Sequence, residues 1–128
     1  MENEFTPYPL ALRLKALGFK ERVLTYFEDD KIKLHDHISG WDFNSSFLNC
    51  VSRPTYSQAF RWFREKYDIT QTIARDGSLA KEGPWAYTIV YDGIYFNDGH
   101  LTYEEAEIAC LEKLIEIVEQ KEYGTEKT

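Results

Sequence analysis

The sequence predicts an α+β fold in which an antiparallel sheet packs against helices. Three observations carry that prediction. Two capping boxes, Thr55-Tyr56-Ser57-Gln58 and Thr102-Tyr103-Glu104-Glu105, each open a run of apolar residues at helical spacing. Between them Trp85, Tyr87, Ile89 and Tyr91 alternate with Ala86, Thr88 and Val90, which is the period of a strand. Asp92-Gly93 then suits a type I′ hairpin turn, whose two central positions need positive φ, and Ile94-Tyr95-Phe96 supplies a short returning strand.

The remaining elements follow in chain order. Thr6, Pro7 and Pro9 open a helix over about residues 8–17, with Leu10, Leu14 and Leu17 on one stripe and Gly18 as its stop. Val23–Glu28 and Lys31–His35 are β-prone runs around Asp29-Asp30 and predict a hairpin. Residues 36–53 mix Gly, Asn and Ser with Trp41, Phe43, Phe47 and Leu48, and read as a loop pinned by aromatics. Helix two begins after Pro54, buries Tyr56, Ala59, Phe60, Phe63 and Tyr67, and stops at Asp68. Thr70–Arg75 is a strand and Asp76-Gly77-Ser78 a turn. The last helix buries Ala106, Ala109, Cys110, Leu114, Ile117 and Val118 and runs to about Lys121. Its acidic first turn complements the helix dipole.

Length and composition fit one domain: 128 residues and 43% hydrophobic content fill a single core. Residues 54–121 form its α-β-β-β-α centre, residues 1–53 pack on that centre, and residues 122–128 form a flexible tail. The formal charge of −7 argues against a broad surface for nucleic acid or anionic lipid. From Leu101 to Thr128 eight Glu oppose three Lys, a solvated outer face. The amino terminus lacks the features of a signal peptide, and no run is long and apolar enough to span a bilayer, so a cytoplasmic protein is expected. Cys50 and Cys110 read as reduced thiols, with Cys110 a small hydrophobe on the last helix.

In element order, residues 54–119 resemble the double-stranded-RNA-binding domain. Gly83-Pro84 falls where that family carries a Gly-Pro-x-His loop, and Tyr103-Glu104-Glu105-Ala106-Glu107 where it carries Lys-Lys-x-Ala-Lys. The resemblance implies a fold and argues against the family's activity. The three lysine positions hold Tyr103, Glu104 and Glu107, and the histidine position holds Ala86. The whole chain also resembles small uncharacterised proteins of phage and prophage regions in gut bacteria. Pro54-Thr55-Tyr56-Ser57-Gln58-Ala59-Phe60-Arg61-Trp62-Phe63-Arg64-Glu65-Lys66-Tyr67 and Tyr103-Glu104-Glu105-Ala106-Glu107-Ile108-Ala109-Cys110-Leu111 carry that likeness.

Chemistry-bearing patterns are sparse. His35-Asp36-His37, with Asp42 or His100, could contribute to a metal site, but two ligands make none, and surface histidines explain the pattern better. Asn97-Asp98-Gly99-His100 has turn composition, and Ser45-Ser46 lacks the setting of a nucleophile elbow. No catalytic residue, metal or cofactor is expected. Arg53, Arg61, Arg64 and Lys66 beside Trp62 form a cationic and aromatic cluster, and Arg61, Trp62 and Arg64 are the candidate binding residues. Trp62 lies off its helix's main stripe, so it either packs under the amino-terminal segment or faces a partner. The expected function is a non-enzymatic interaction module of a phage or mobile element, acting on a protein partner or by self-association. The alternative is nucleic-acid binding by a divergent RNA-binding-like domain.

Overall fold

The computed structural model describes residues 4–35, 40–47, 49–75 and 83–123. The described elements are α1 (Tyr8–Ala16), β1 (Thr25–Glu28), β2 (Lys31–Leu34), α2 (Phe43–Ser46), β3 (Cys50–Ser52), α3 (Tyr56–Tyr67), β4 (Thr70–Arg75), β5 (Trp85–Tyr91), β6 (Ile94–His100) and α4 (Tyr103–Tyr123). The fold is α+β, but it contains two three-stranded antiparallel sheets where the sequence suggested one. Two compact units hold one sheet each: Met1–Ala59 and Phe60–Thr128, with the boundary inside α3.

In the first unit the strand order is β2-β1-β3. Asp29 and Asp30, at φ 51° and 68°, make the two-residue turn of the expected β1–β2 hairpin. The third strand was not anticipated. Cys50–Ser52 pairs with Tyr26–Glu28 inside what composition suggested was loop, because the ladder supplies backbone partners that a three-residue stretch cannot announce by periodicity. One face of this sheet presents Phe27 and Val51, which cluster with Ala11 of α1 and with Tyr8, whose ring stands edge-on to Phe27 at 4.9 Å. Gly18, at φ 95°, ends α1 as expected, and the Phe19 amide reaches back to the Leu14 carbonyl. The Thr55–Gln58 capping box opens α3 reciprocally: the Gln58 amide donates to Thr55 Oγ1 and the Thr55 amide to Gln58 Oε1.

The second unit has the strand order β4-β5-β6. With the helices on either side in sequence, the order α-β-β-β-α is the one anticipated. Asp68, at φ 57°, ends α3 in a left-handed conformation, and its amide donates to the Arg64 carbonyl. Asp92-Gly93, at φ 53° and 77°, makes the expected hairpin turn. The returning strand is longer than expected. Asn97–His100 is not a turn but the second half of β6, paired through to Trp85↔His100. Thr88 Oγ1 donates to Asn97 Oδ1 across the ladder at 2.8 Å, so a continuous partner strand overrides local turn composition. Gly83 lies against this strand end: a Cβ there would sit 2.3 Å from the His100 carbonyl oxygen, and φ is 119°.

Helix α4 packs on all three strands of this sheet. It buries Ala106, Cys110, Leu111, Leu114, Ile115 and Val118 completely, opposite Tyr87 and Ile89 of β5. Ala109, expected on that stripe, is only half-buried. Thr102 Oγ1 accepts from the Glu105 amide as foreseen, while the Glu105 carboxylate accepts from Leu101 rather than from Thr102. Glu104, Glu112 and Glu116 point to solvent. Cys50 and Cys110 are free and buried.

Removing Leu114 side-chain bulk by Leu114→Ala leaves a cavity under α4 and should cost roughly 3 kcal/mol in urea unfolding. Burial pushes the Cys110 thiol up to about 12, with Glu107 adding to the effect, and pushes the Tyr87 phenol up to about 12, with Asp98 the next contributor. Both groups therefore favour the folded state while neutral. The unfolded chain releases these protons first, at its lower pKa values, so stability should fall as pH rises from about 9 toward 12. Thermal melts across that range check the sign, and Cys110→Ala should flatten part of the decline.

Candidate functional site

The residues singled out by the sequence divide between surface and core. Arg61 and Arg64 are exposed on α3, and Arg61 Nε forms a solvent-exposed pair with Glu65 at 3.6 Å. Trp62 is buried at 6% exposure, with its ring edge-on to Phe63 and Tyr67 and Lys66 Nζ 5.1 Å from its centroid. It is therefore not available as the aromatic centre of a contact surface. Arg53 is buried too: its guanidinium lies over Phe5 at 4.9 Å and Phe27 at 5.4 Å, and Nε donates to the Thr6 carbonyl. Arg53 is a packing residue of the first unit.

The histidine patterns yield no site among the described residues. Asp36 and His37 lie outside them, and no described group of three His, Cys, Asp or Glu side chains could hold a metal. His100 stacks on Tyr87 at 6.0 Å, and its Nε2 is 3.4 Å from Asp98 Oδ2. Tyr103 stands edge-on to Trp85 at 5.3 Å. The first turn of α4 thus presents Tyr103, Glu104 and Glu105 to solvent. Of the described helices, none is long and apolar enough to cross a membrane.

A concavity lies in the first unit, on the sheet face opposite α1. A pocket of about 440 Å³ is lined by Tyr26, Glu28, His35, Trp41, Phe43, Phe47, Asn49 and Cys50. Its floor follows from register: Glu28 pairs with Cys50, and Tyr26 lies two residues before Glu28, so all three share one face. The volume is in the range of small-molecule sites. Its walls come from the stretch that composition suggested was merely pinned loop.

A short helix sets those walls. Asp42 caps α2 by accepting from the Ser45 amide at 3.2 Å. Ser52 Oγ accepts from the Phe43 and Asn44 amides at 3.1 and 3.3 Å, Asn44 Oδ1 accepts from the Ser52 amide at 2.8 Å, and Asn44 Nδ2 donates to the Phe19 carbonyl. These bonds clasp α2 to β3 and aim Phe43 over the floor. Its ring stacks on Tyr26 at 3.9 Å, with Phe47 near-parallel at 6.4 Å and His35 edge-on at 5.4 Å. Trp41 is fixed by two backbone bonds with Val23, of 3.0 and 2.9 Å. Gly40 makes that approach possible at φ 71°, since a Cβ there would lie 2.7 Å from the Val23 carbonyl oxygen. Trp41 and Phe47 remain 44% and 50% exposed at the rim.

The pocket's thiol is not set up as a nucleophile. Burial raises the Cys50 thiol above its ordinary value, and the Glu28 charge raises it further against the opposing effect of Lys15, so the reactive thiolate is disfavoured. Lys15 Nζ instead donates to the Cys50 carbonyl at 2.7 Å. No family model, curated protein or solved structure matches the chain.

Ser52→Ala deprives two helix-terminal amides of their acceptor and should cost about 1–3 kcal/mol in urea unfolding. Gly40→Ala, strained in φ and blocked by the Val23 carbonyl, should shift Trp41 and change its fluorescence relative to Trp41→Phe controls.

Proposed function

We propose that the chain is a non-enzymatic interaction module, encoded by a phage or mobile element as its likeness over residues 54–67 and 103–111 suggests, and working in the cytoplasm on a protein partner. The observation that supports a binding role is the ring-lined pocket of the first unit, with Trp41 and Phe47 half-exposed at its rim. Rings held by a folded frame offer large contact area at little entropic cost. Tyr26 and Phe43 are stacked in place, so the partner would meet a surface ordered in advance. In this reading the pocket takes over the anchoring role that the sequence suggested for Trp62, and Arg61 and Arg64 are peripheral. The resemblance to the double-stranded-RNA-binding domain would put phosphate contacts at the first turn of α4, and the exposed Glu104 and Glu105 there weigh against nucleic acid.

Indole, a small neutral aromatic, tests the reading by protein-observed NMR. Saturable amide shifts are expected at Tyr26–Glu28, Phe43–Phe47 and Cys50. Phe47→Ala should weaken binding about tenfold or more, and Arg61→Ala with Arg64→Ala should leave it unchanged. Absence of saturable shifts, or shifts centred on Arg61 and Arg64, would overturn it.

A further inference from the structure

Resting on that reading, we infer that the pocket of Tyr26, Glu28, Trp41, Phe43 and Phe47 is a site for a quaternary ammonium group, as borne by a trimethylated side chain of the protein partner. Four aromatic side chains line it, and the faces of such rings carry negative electrostatic potential that attracts a cation. Glu28 is the one carboxylate among the described lining residues, and neither Lys nor Arg is among those. Its field reaches the floor, where it opposes ionisation of the neighbouring Cys50 and outweighs the contrary effect of Lys15, whose ammonium is engaged by the Cys50 carbonyl.

The form of the cation follows from its hydrogen-bonding needs. A guanidinium brings five N–H donors, each costly to bury without an acceptor, and among the lining side chains Glu28 and Asn49 are the main acceptors. A quaternary ammonium brings none. Its methyl groups contact the rings while its charge is balanced by Glu28. Cations do stand nearby: Lys31 and Lys33 pair with Glu28 and Tyr26 across the β1–β2 ladder, on this same sheet face, and His35 is a further titratable wall. Both lysines sit on a wholly exposed strand and neither lines the cavity, so water screens their charge more strongly than that of a ligand seated against Glu28.

Choline and 3,3-dimethyl-1-butanol, its uncharged isostere, separate charge from shape. Titrating each into the unmodified full chain, with the same amide resonances as readout, should show choline binding at least tenfold more tightly. Glu28→Gln should reduce choline affinity about tenfold and narrow its advantage over the isostere, and Trp41→Phe should retain more binding than Trp41→Ala. Equal or tighter binding of the isostere, or indole binding without choline binding, would overturn the cation assignment and leave the aromatic-anchor reading intact. Failure of all three probes would overturn both. Should a variant not fold, as judged by far-ultraviolet circular dichroism, the choline-to-isostere ratio on the unmodified chain still decides.

Discussion

The exchange of hydrogen bonds between Ser52 and Asn44 is the constraint on which the first unit's binding face depends. A four-residue helix has almost no stability of its own, since its first turn fixes several backbone dihedrals in return for a single hydrogen bond. Here Ser52 Oγ satisfies the Phe43 and Asn44 amides, and Asn44 returns a bond to the Ser52 amide while holding the Phe19 carbonyl. The helix is held from outside. With its position set, Phe43 covers Tyr26 and the aromatic wall has a fixed starting point. A polar side chain on a buried three-residue strand thereby sets where Phe43 stands over Tyr26.

The elements that were legible in the sequence are those whose signals are local. Both capping boxes, the Asp29-Asp30 and Asp92-Gly93 turns and the stripe of α4 depend on residues within a few positions of one another. What was missed depends on distant partners. Cys50–Ser52 becomes a strand because Tyr26–Glu28 lies beside it, and Asn97–His100 remains a strand because β5 continues to Trp85. The pocket escaped notice for the same reason. Trp41, Phe43 and Phe47 were visible as loop aromatics, but periodicity could not say that β1 and β3 form a floor beneath them. Trp62 shows the reverse limit: lying off the main stripe of α3 did not make it a surface residue, because Phe63, Tyr67 and the Lys66 ammonium surround it.

In the second unit, α4 turns most of its apolar residues inward, although Ile108 is exposed. Its inner side is closed by aliphatic residues against β5, and its outer side carries exposed glutamates. Among the described residues no Asp or Glu is buried, so their negative charge lies in a solvated exterior and not in a buried network. Among the described residues, buried cationic character is concentrated in Arg53, which is spent on Phe5, Phe27 and the Thr6 carbonyl. The same pairing of positive charge with ring faces recurs at Lys66 over Trp62, Arg75 over Trp85 and Lys113 over Phe96.

Four aspartates, Asp29, Asp30, Asp68 and Asp92, occupy left-handed backbone conformations. An L residue with a Cβ holds that geometry at a cost of roughly 1–2 kcal/mol, which glycine largely avoids. The Asp68 and Asp92 corners, neither of them a pocket residue, are thus reservoirs of unrealised stability, whereas Asp29 follows Glu28 directly and donates its amide to the Asn49 carbonyl at the pocket. A lineage that converted Asp68 or Asp92 to glycine would gain mutational headroom, enough to let Trp41 or Phe47 vary in size and chemistry while the frame beneath them stayed folded.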